Sequence, residues 1–357
     1  MGISDTLLGR KSADGNPYIE AIEPAAALPG GEVRIQGKAL KPPQLERPEV
    51  NFIGVRGSIV IGSEEFIIAR VPHKALSGQV TIRTNGHVSN SREISIAQPL
   101  AENLHPVSNP AVDADGNIYA TYSGGRGQKV PVAIYKIDTN HTVRPFLTEL
   151  MNATGLAFDK QGQLYVSSRY DGTVYRVTPG GAMSTYAEGM GVATGIAFDR
   201  EGSLYVGDRT GTIWRIAQDR QIFVFATLEP SVSAYHLAFS PNGTLYVCGP
   251  TTASFDSIHT VDNHGTVTTF YRGLGRPQGM AFDAQGNLYV AASLAGKRGI
   301  VRITPDKKAS LVIAGYNLVG LAFTRSGGVV LATNTPNQNG EVYYLSLSPA
   351  VHPLSLI

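Results

Sequence analysis

The chain has 357 residues, of which 42% are apolar and only 16% are charged, a charged share below the usual value of about 25%. Its formal net charge of +2 gives no electrostatic reason to expect a nucleic-acid partner. No apolar run reaches the roughly 18 residues that would cross a bilayer, so we expect no membrane partner. The 40 glycines, with no long stretch of helical apolar period, favour an all-β protein.

The N-terminal segment, residues 1–16, is predicted to be a tail outside any domain. It has no basic start followed by an apolar run, as a signal peptide would have, so we expect a cytoplasmic protein. The only cysteine is Cys248, which excludes an intrachain disulfide and makes folding independent of the redox compartment.

Residues 17–97 have short alternating apolar segments separated by Pro, Gly and Asn, which predicts a β-sandwich. The order of these segments resembles the TIG/IPT immunoglobulin-like domain, and this resemblance implies a spacer or adhesion module. The residues that carry the match are Pro24, Gly30, Gly31, Gly37, Val71, Pro72, Gly78 and Ser89. Residues 98–108 are predicted to be a short linker.

Residues 109–357 contain the strongest pattern in the chain: an apolar strand, a turn with glycine and a second strand recur six times. The turn glycines, which lie 40 to 46 residues apart, are Gly116, Gly162, Gly202, Gly243, Gly286 and Gly327. A period near 40 residues with several short strands per repeat predicts a six-bladed β-propeller.

Each repeat is expected to form four strands; in the second repeat these are 155–159, 163–167, 173–177 and 183–187. We expect Val351–Ile357 to be the outer strand of the sixth repeat, so that the ring closes without a strand from elsewhere. Repeat length varies mainly in the loop after the second strand. This variation predicts a binding face on that side, with long loops at Ser123–Val132, Gly249–Ser257, Ser293–Gly299 and Thr333–Gly340.

The segments TGLAFDKQGQLYV, from Thr154, and TGIAFDREGSLYV, from Thr194, resemble two related propeller families. One is the NHL-repeat propellers, which implies binding of partners. The other is the gluconolactonase and senescence marker protein family, which implies lactone hydrolysis with a divalent metal held by a Glu, two Asn and an Asp. Of that ligand set only Asp208 has a counterpart here, and no Asn opens an inner strand at the matching position. We therefore expect no metal and no cofactor, with Ca²⁺ or Zn²⁺ only if the protein is a hydrolase.

Polar residues collect where the inner strands open and the second strands close. The candidate ligand-binding residues are Thr154, Arg169, Thr194, Asp208, Arg209, Tyr235, His236 and Gln278. Arg169 and Arg209 occupy the same position of neighbouring repeats and could together hold a carboxylate or phosphate; otherwise Arg209 pairs with Asp208 or lies in solvent. The alternative to a ligand-binding role for His236 is a hydrogen-bonded packing histidine. The recurrent strand tyrosines are expected to pack between blades.

These observations favour a non-catalytic binding propeller that holds a small polar or anionic ligand, a peptide or a protein at its top face. The sandwich domain would position the propeller. The alternative is a gluconolactonase-like hydrolase with an altered or lost metal site, and a third hypothesis is a purely structural assembly protein. The catalytic residues of such a hydrolase are unknown from the sequence.

Overall fold

The computed structural model describes residues 16–41, 47–335 and 340–346. These residues form strands and connecting turns, and none of them belongs to a helix, so the protein is all-β as predicted. Accordingly, the described part of the chain offers no apolar helix of bilayer-spanning length. The chain divides into two compact units at Ile96/Ala97.

The first unit contains strands β1 to β9, whose apolar residues alternate between a buried and a half-exposed side. In Glu32–Lys38, for example, Val33 and Ile35 are fully buried and Arg34 and Gln36 are not. The strands are Tyr18–Glu23, Ala26–Ala27, Glu32–Lys38, Glu49–Phe52, Val55–Gly62, Phe66–Arg70, Gly78–Thr84, His87–Val88 and Arg92–Ile96. Antiparallel pairing links β1, β3, β6 and β5 in that order, and β4 pairs with β5 and β7.

The second unit has a propeller-like arrangement of four-stranded antiparallel groups. The first three groups form separate sheets: Ala111–Val112, Ile118–Thr121, Ile134–Ile137 and Val143–Leu147; Ala153–Phe158, Leu164–Ser168, Thr173–Val177 and Met183–Ala187; Ala193–Phe198, Leu204–Asp208, Thr212–Ile216 and Ile222–Thr227. Two more groups follow: His236–Phe239, Leu245–Cys248, Asp256–Val261 and Val267–Gly275; Met280–Phe282, Leu288–Leu294, Lys297–Ile303 and Ala309–Ala314. Leu274 and Gly275 also pair with Leu294 and Ser293, which joins these two groups into one sheet.

The last group corrects the sequence analysis. It combines Leu318–Phe323, Gly328–Thr333 and Gly340–Ser346 with Gln98–Leu104, which pairs antiparallel with Gly340–Ser346. Part of the segment predicted as a linker is therefore a strand, and it takes the position that we assigned to Val351–Ile357. The physical reason is apolar burial: Ala101 and Leu104 lie in the same buried cluster as Val342. Residues 351–357 themselves lie outside the described part of the chain.

The first strands of the successive groups contact one another in chain order, and Leu318–Phe323 contacts Ala111–Val112 in turn. Asn109 links these ends through its side chain. Its Nδ2 donates to the Met280 carbonyl oxygen at 2.8 Å, and its Oδ1 accepts from the Leu321 amide at 3.1 Å. The side-chain amide of Asn109, which precedes the first group in the chain, is thus hydrogen-bonded to the last two groups.

Local chemistry explains why each repeat forms its first hairpin. All six turn glycines have positive φ, between 76° and 89°, a conformation that costs glycine little. In the second repeat, the Asp159 carboxylate accepts from the Gln161 and Gln163 amides at 2.9 and 2.8 Å and fixes the turn.

The recurrent strand tyrosines pack between neighbouring groups, as expected. The Tyr165 ring meets the Phe198 ring edge-on at a centroid distance of 4.9 Å, and Tyr205 meets Phe239 in the same way at 5.1 Å. The prediction of a long loop at Ser293–Gly299 was wrong. One strand ends at Leu294 and the next begins at Lys297, with a two-residue turn between them.

Candidate functional site

A cavity of about 300 Å³ opens in the second unit where connections from several groups converge. This volume suits a small ligand. Its lining residues are His105, Val107, Arg126, Thr154, Arg169, Val192, Thr194, Arg209, Val232, Ser233, Ala234, Gln278, Val319 and Asn334. Of the eight candidate residues named from the sequence, five lie in this lining: Thr154, Arg169, Thr194, Arg209 and Gln278.

The cavity is strongly basic. Arg169 and Arg209 each directly follow the second strand of their group, and Arg126 comes from the long loop of the first repeat. Burial lowers the pKa of Arg169, and the positive charges of Arg209 and Arg126 lower it further, so the guanidinium groups repel one another. No Asp or Glu is among the lining residues, and the described residues form no ion pair with these arginines. An anion would relieve this repulsion.

The protein holds the arginines in place by backbone carbonyls. Arg169 Nη2 donates to the Gly124 carbonyl oxygen at 2.8 Å, and Arg209 Nε donates to the Ser231 carbonyl oxygen at 3.3 Å. Neutral acceptors fix the guanidinium orientation without cancelling its charge. The remaining N–H donors can therefore point to a bound carboxylate or phosphate.

Some of the buried polar atoms without a hydrogen-bond partner lie at this cavity. Within the described residues these include Arg169 Nε and Asn334 Oδ1, both from lining residues. Ser123 Oγ is a further one, and the Ser123 amide donates to the His105 carbonyl oxygen at 3.1 Å. Buried polar groups normally have partners, so at these positions a ligand or water can complete the bonding.

His105 adds a titratable group to the lining. Burial lowers its pKa, a hydrogen bond with the Ser123 backbone raises it, and the charge of Arg169 lowers it. The net direction is downward, so the imidazole is neutral at neutral pH. A bound anion would oppose the effect of Arg169 and favour the protonated form.

Thr154 and Thr194 are nearly fully buried at the cavity wall, and their hydroxyls bond to the protein. Thr154 Oγ1 donates to the Asn152 carbonyl oxygen at 3.0 Å. Thr194 Oγ1 donates to the Gly207 carbonyl oxygen at 2.8 Å and accepts from the Tyr235 amide at 3.1 Å. These bonds give both threonines a role in shaping the wall.

Asp208, Tyr235 and His236 are not among the lining residues of this cavity. The buried Asp208 carboxylate accepts from the Val192 amide at 2.9 Å and from Thr210, so it fixes a turn. The Tyr235 hydroxyl donates to the Glu229 carbonyl oxygen. His236 begins an inner strand and is 3% exposed. Asp208 and Tyr235 therefore stabilise the local backbone through hydrogen bonds, and His236 packs in the interior.

The burial of His236 predicts that the stability of the protein depends on pH. Burial lowers its pKa from 6.5 to about 4. Between these pH values the unfolded chain binds more protons than the folded protein. The contribution of neutral His236 to stability is therefore fully present above pH 6.5 and is lost as the pH falls toward 4. We expect acidification across this range to lower the free energy of unfolding by about 3 kcal/mol through this residue.

The measurement is urea unfolding of the protein and of His236→Gln at pH 7 and pH 4.5. The variant should lose less stability between the two pH values than the parent. His87→Gln, which changes an exposed histidine, is the control and should keep the parent's pH dependence. Equal pH dependence of His236→Gln and the parent would show that His236 does not titrate as its burial implies.

Sequence reasoning missed His105, Arg126 and Asn334. His105 lies in the segment interpreted as a linker, and Arg126 and Asn334 lie in loops after second strands, outside the repeating columns. The signal that could have found Arg126 is its place in the longest of the variable loops, SGGRGQKV, between two glycines.

The cavity lining does not match the Glu, two Asn and Asp of the lactonase metal set, because it contains no Asp or Glu and a single Asn, Asn334. Elsewhere in the described residues, no three or more His, Cys, Asp or Glu side chains come together as a metal site. The one retained carboxylate, that of Asp208, is occupied by the amide and hydroxyl donors around it.

Comparison with known proteins supports the fold. A family model described as "Strictosidine synthase-like, N-terminal" matches residues 195–216. The curated proteins include no match. A solved structure assigned as a gluconolactonase is 19% identical, with a TM-score of 0.59, over 73% of this chain and 94% of that chain. A gluconolactonase from Xanthomonas campestris is 16% identical, with a TM-score of 0.57, over 71% and 89% of the two chains.

A different protein matches over a larger share of the chain. An auxiliary nutrient binding protein from Bacteroides thetaiotaomicron is 12% identical, with a TM-score of 0.53, over 93% of this chain and 98% of that chain. At these identities the likeness concerns the fold alone. Because similar folds occur in a lactonase and a binding protein, the function has to be argued from the site.

Proposed function

We propose that the protein is a binding propeller that holds a small anionic ligand, a carboxylate or a phosphate, in the cavity lined by Arg126, Arg169 and Arg209. The observation that carries the proposal is the meeting of these guanidinium groups in one cavity whose lining has no Asp or Glu. Arginine binds both anions through paired N–H donors.

Binding explains the site better than lactone hydrolysis does. Hydrolysis by the lactonase route needs a metal held by several oxygen ligands, and the lining of this cavity contains no carboxylate and one Asn. The likeness to gluconolactonases supports the propeller and leaves the chemistry open, whereas the likeness to a nutrient binding protein is compatible with binding.

We infer further that the propeller has six blades, because six four-stranded groups follow one another and their first strands contact in a closed order. We also infer that the first unit is an immunoglobulin-like sandwich of the TIG/IPT type. Its support is the two antiparallel runs that share β5 and the buried residues that alternate along β3.

The proposal predicts that inorganic phosphate binds to the cavity and that Arg169→Ala/Arg209→Ala weakens this binding about 100-fold. Each charged hydrogen-bonding group contributes roughly 1.5–3 kcal/mol, and 1.4 kcal/mol corresponds to a tenfold change. The measurement is isothermal titration calorimetry at low salt, where screening of the charges is weak.

The matched control is Arg144→Ala/Arg272→Ala, which removes the same charge from exposed positions outside the lining. This variant should bind phosphate as the parent does. Binding of phosphate that is equal in all three proteins, or absent from the parent, would overturn the proposed function.

A further inference from the structure

A second cavity, of about 440 Å³, lies next to the arginine-lined one. Gln278 lines both cavities, and the adjacent residues Leu318 and Val319 line the second and the first respectively. The two cavities therefore share Gln278 as a common lining residue. A ligand that passes Gln278 would reach both.

The second cavity is also basic. Arg276 and Arg298 line it, no Asp or Glu does, and within the described residues neither arginine forms an ion pair. The guanidinium carbon of Arg298 lies 5.7 Å from the centroid of the Tyr316 ring, a contact that restricts the side chain without neutralising it. The cavity can therefore accept a second anionic group.

Two lining residues have an unusual backbone. Arg276 has φ of 48° and Asn317 has φ of 58°, both in the left-handed region that non-glycine residues adopt at a cost. The cost is larger for Arg276, because Asn tolerates this conformation better. Nine other non-glycine residues of the described chain share this conformation, so it is compatible with a ligand site and does not by itself mark one.

We propose that the second cavity is a subsite for the same ligand, which carries two anionic groups separated by a spacer that passes Gln278. This inference rests on the proposed function, because the first anionic group is the one bound by Arg169 and Arg209. Joining the groups in one molecule makes the second contact intramolecular, so a ligand with two anions should bind more tightly than one with a single anion.

The probes are alkanediol bisphosphates with four to ten carbons, compared with the ω-hydroxyalkyl monophosphates of the same lengths. Each pair differs only in the second phosphate. Calorimetry on the full chain should give one bisphosphate per protein, and at the best length the bisphosphate should bind at least about tenfold more tightly than its monophosphate partner.

Arg276→Ala/Arg298→Ala should abolish the advantage of the bisphosphate and leave monophosphate binding unchanged. Lys297→Ala, which removes an exposed charge from the same hairpin but from outside the lining, should keep that advantage. The inference is overturned if no bisphosphate exceeds its monophosphate partner, if two bisphosphates bind per protein, or if the double variant keeps the advantage.

The failures of the two proposals are distinguishable. Monophosphate binding that depends on Arg169 and Arg209, without any bisphosphate advantage, removes only the second subsite. Monophosphate binding that does not depend on these arginines, or that does not occur, removes the proposed function and the subsite with it.

Discussion

Removing residues 1–104 should abolish cooperative folding of the propeller, whereas removing residues 1–96 should leave it folded. The two truncated chains differ by Gln98–Leu104, the strand that completes the last four-stranded group. Without it, Gly340–Ser346 becomes an edge with unpaired backbone groups. Loss of the buried residues Ala101 and Leu104 would also leave Val342 partly exposed.

The measurement is circular dichroism with urea unfolding of both truncated chains. A cooperative transition in residues 97–357 and its loss in residues 105–357 is the expected pair of results. Within the full chain, Leu104→Ala should lower the free energy of unfolding by about 2–4 kcal/mol, since Leu104 is 2% exposed. Glu102→Ala, on the exposed side of the same strand, is the matched control and should cost little. Equal stability of the two truncated chains would mean that another segment, such as Val351–Ile357, closes the group.

This strand also shows where sequence reasoning ended. The hairpins could be predicted because their causes are local: a glycine with positive φ, and in the second repeat an Asp159 carboxylate that caps the turn. All four strands of that repeat were predicted within two residues of their observed bounds. The partner of Gly340–Ser346 is instead distant in the chain, and no local pattern decides which segment pairs with it.

The candidate site was predictable to the extent that it follows the repeat. Arg169 and Arg209 were found because both occupy the position after the second strand, and the propeller-like arrangement brings equivalent positions together. His105 and Arg126 come from segments without a repeat, so their contribution depends on how those segments fold. His236 is buried, and the sequence does not tell which side of its strand faces the cavity and which packs against neighbouring residues.

The second large effect is expected at the inner strands, where glycines allow close approach of neighbouring groups. Gly155→Ala should lower the free energy of unfolding by about 3 kcal/mol. A Cβ atom at this position would lie 2.4 Å from the Thr194 carbonyl oxygen and 3.0 Å from the Ile196 amide nitrogen. Both contacts are with the backbone of the next inner strand, which cannot move aside as a flexible side chain does. Thr194 is, moreover, 1% exposed.

Gly180→Ala is the matched control for this prediction. A Cβ atom at Gly180 would meet no heavy atom within 4 Å, and this glycine has no left-handed φ, so the added methyl group enters open space. Its substitution should be neutral or slightly stabilising, since alanine reduces the freedom of the unfolded chain. Urea unfolding of the two variants beside the parent separates a steric effect from a general loss of glycine. If Gly155→Ala is as stable as Gly180→Ala, the inner strands have room to separate, and the tight contact between the second and third groups is not required for folding.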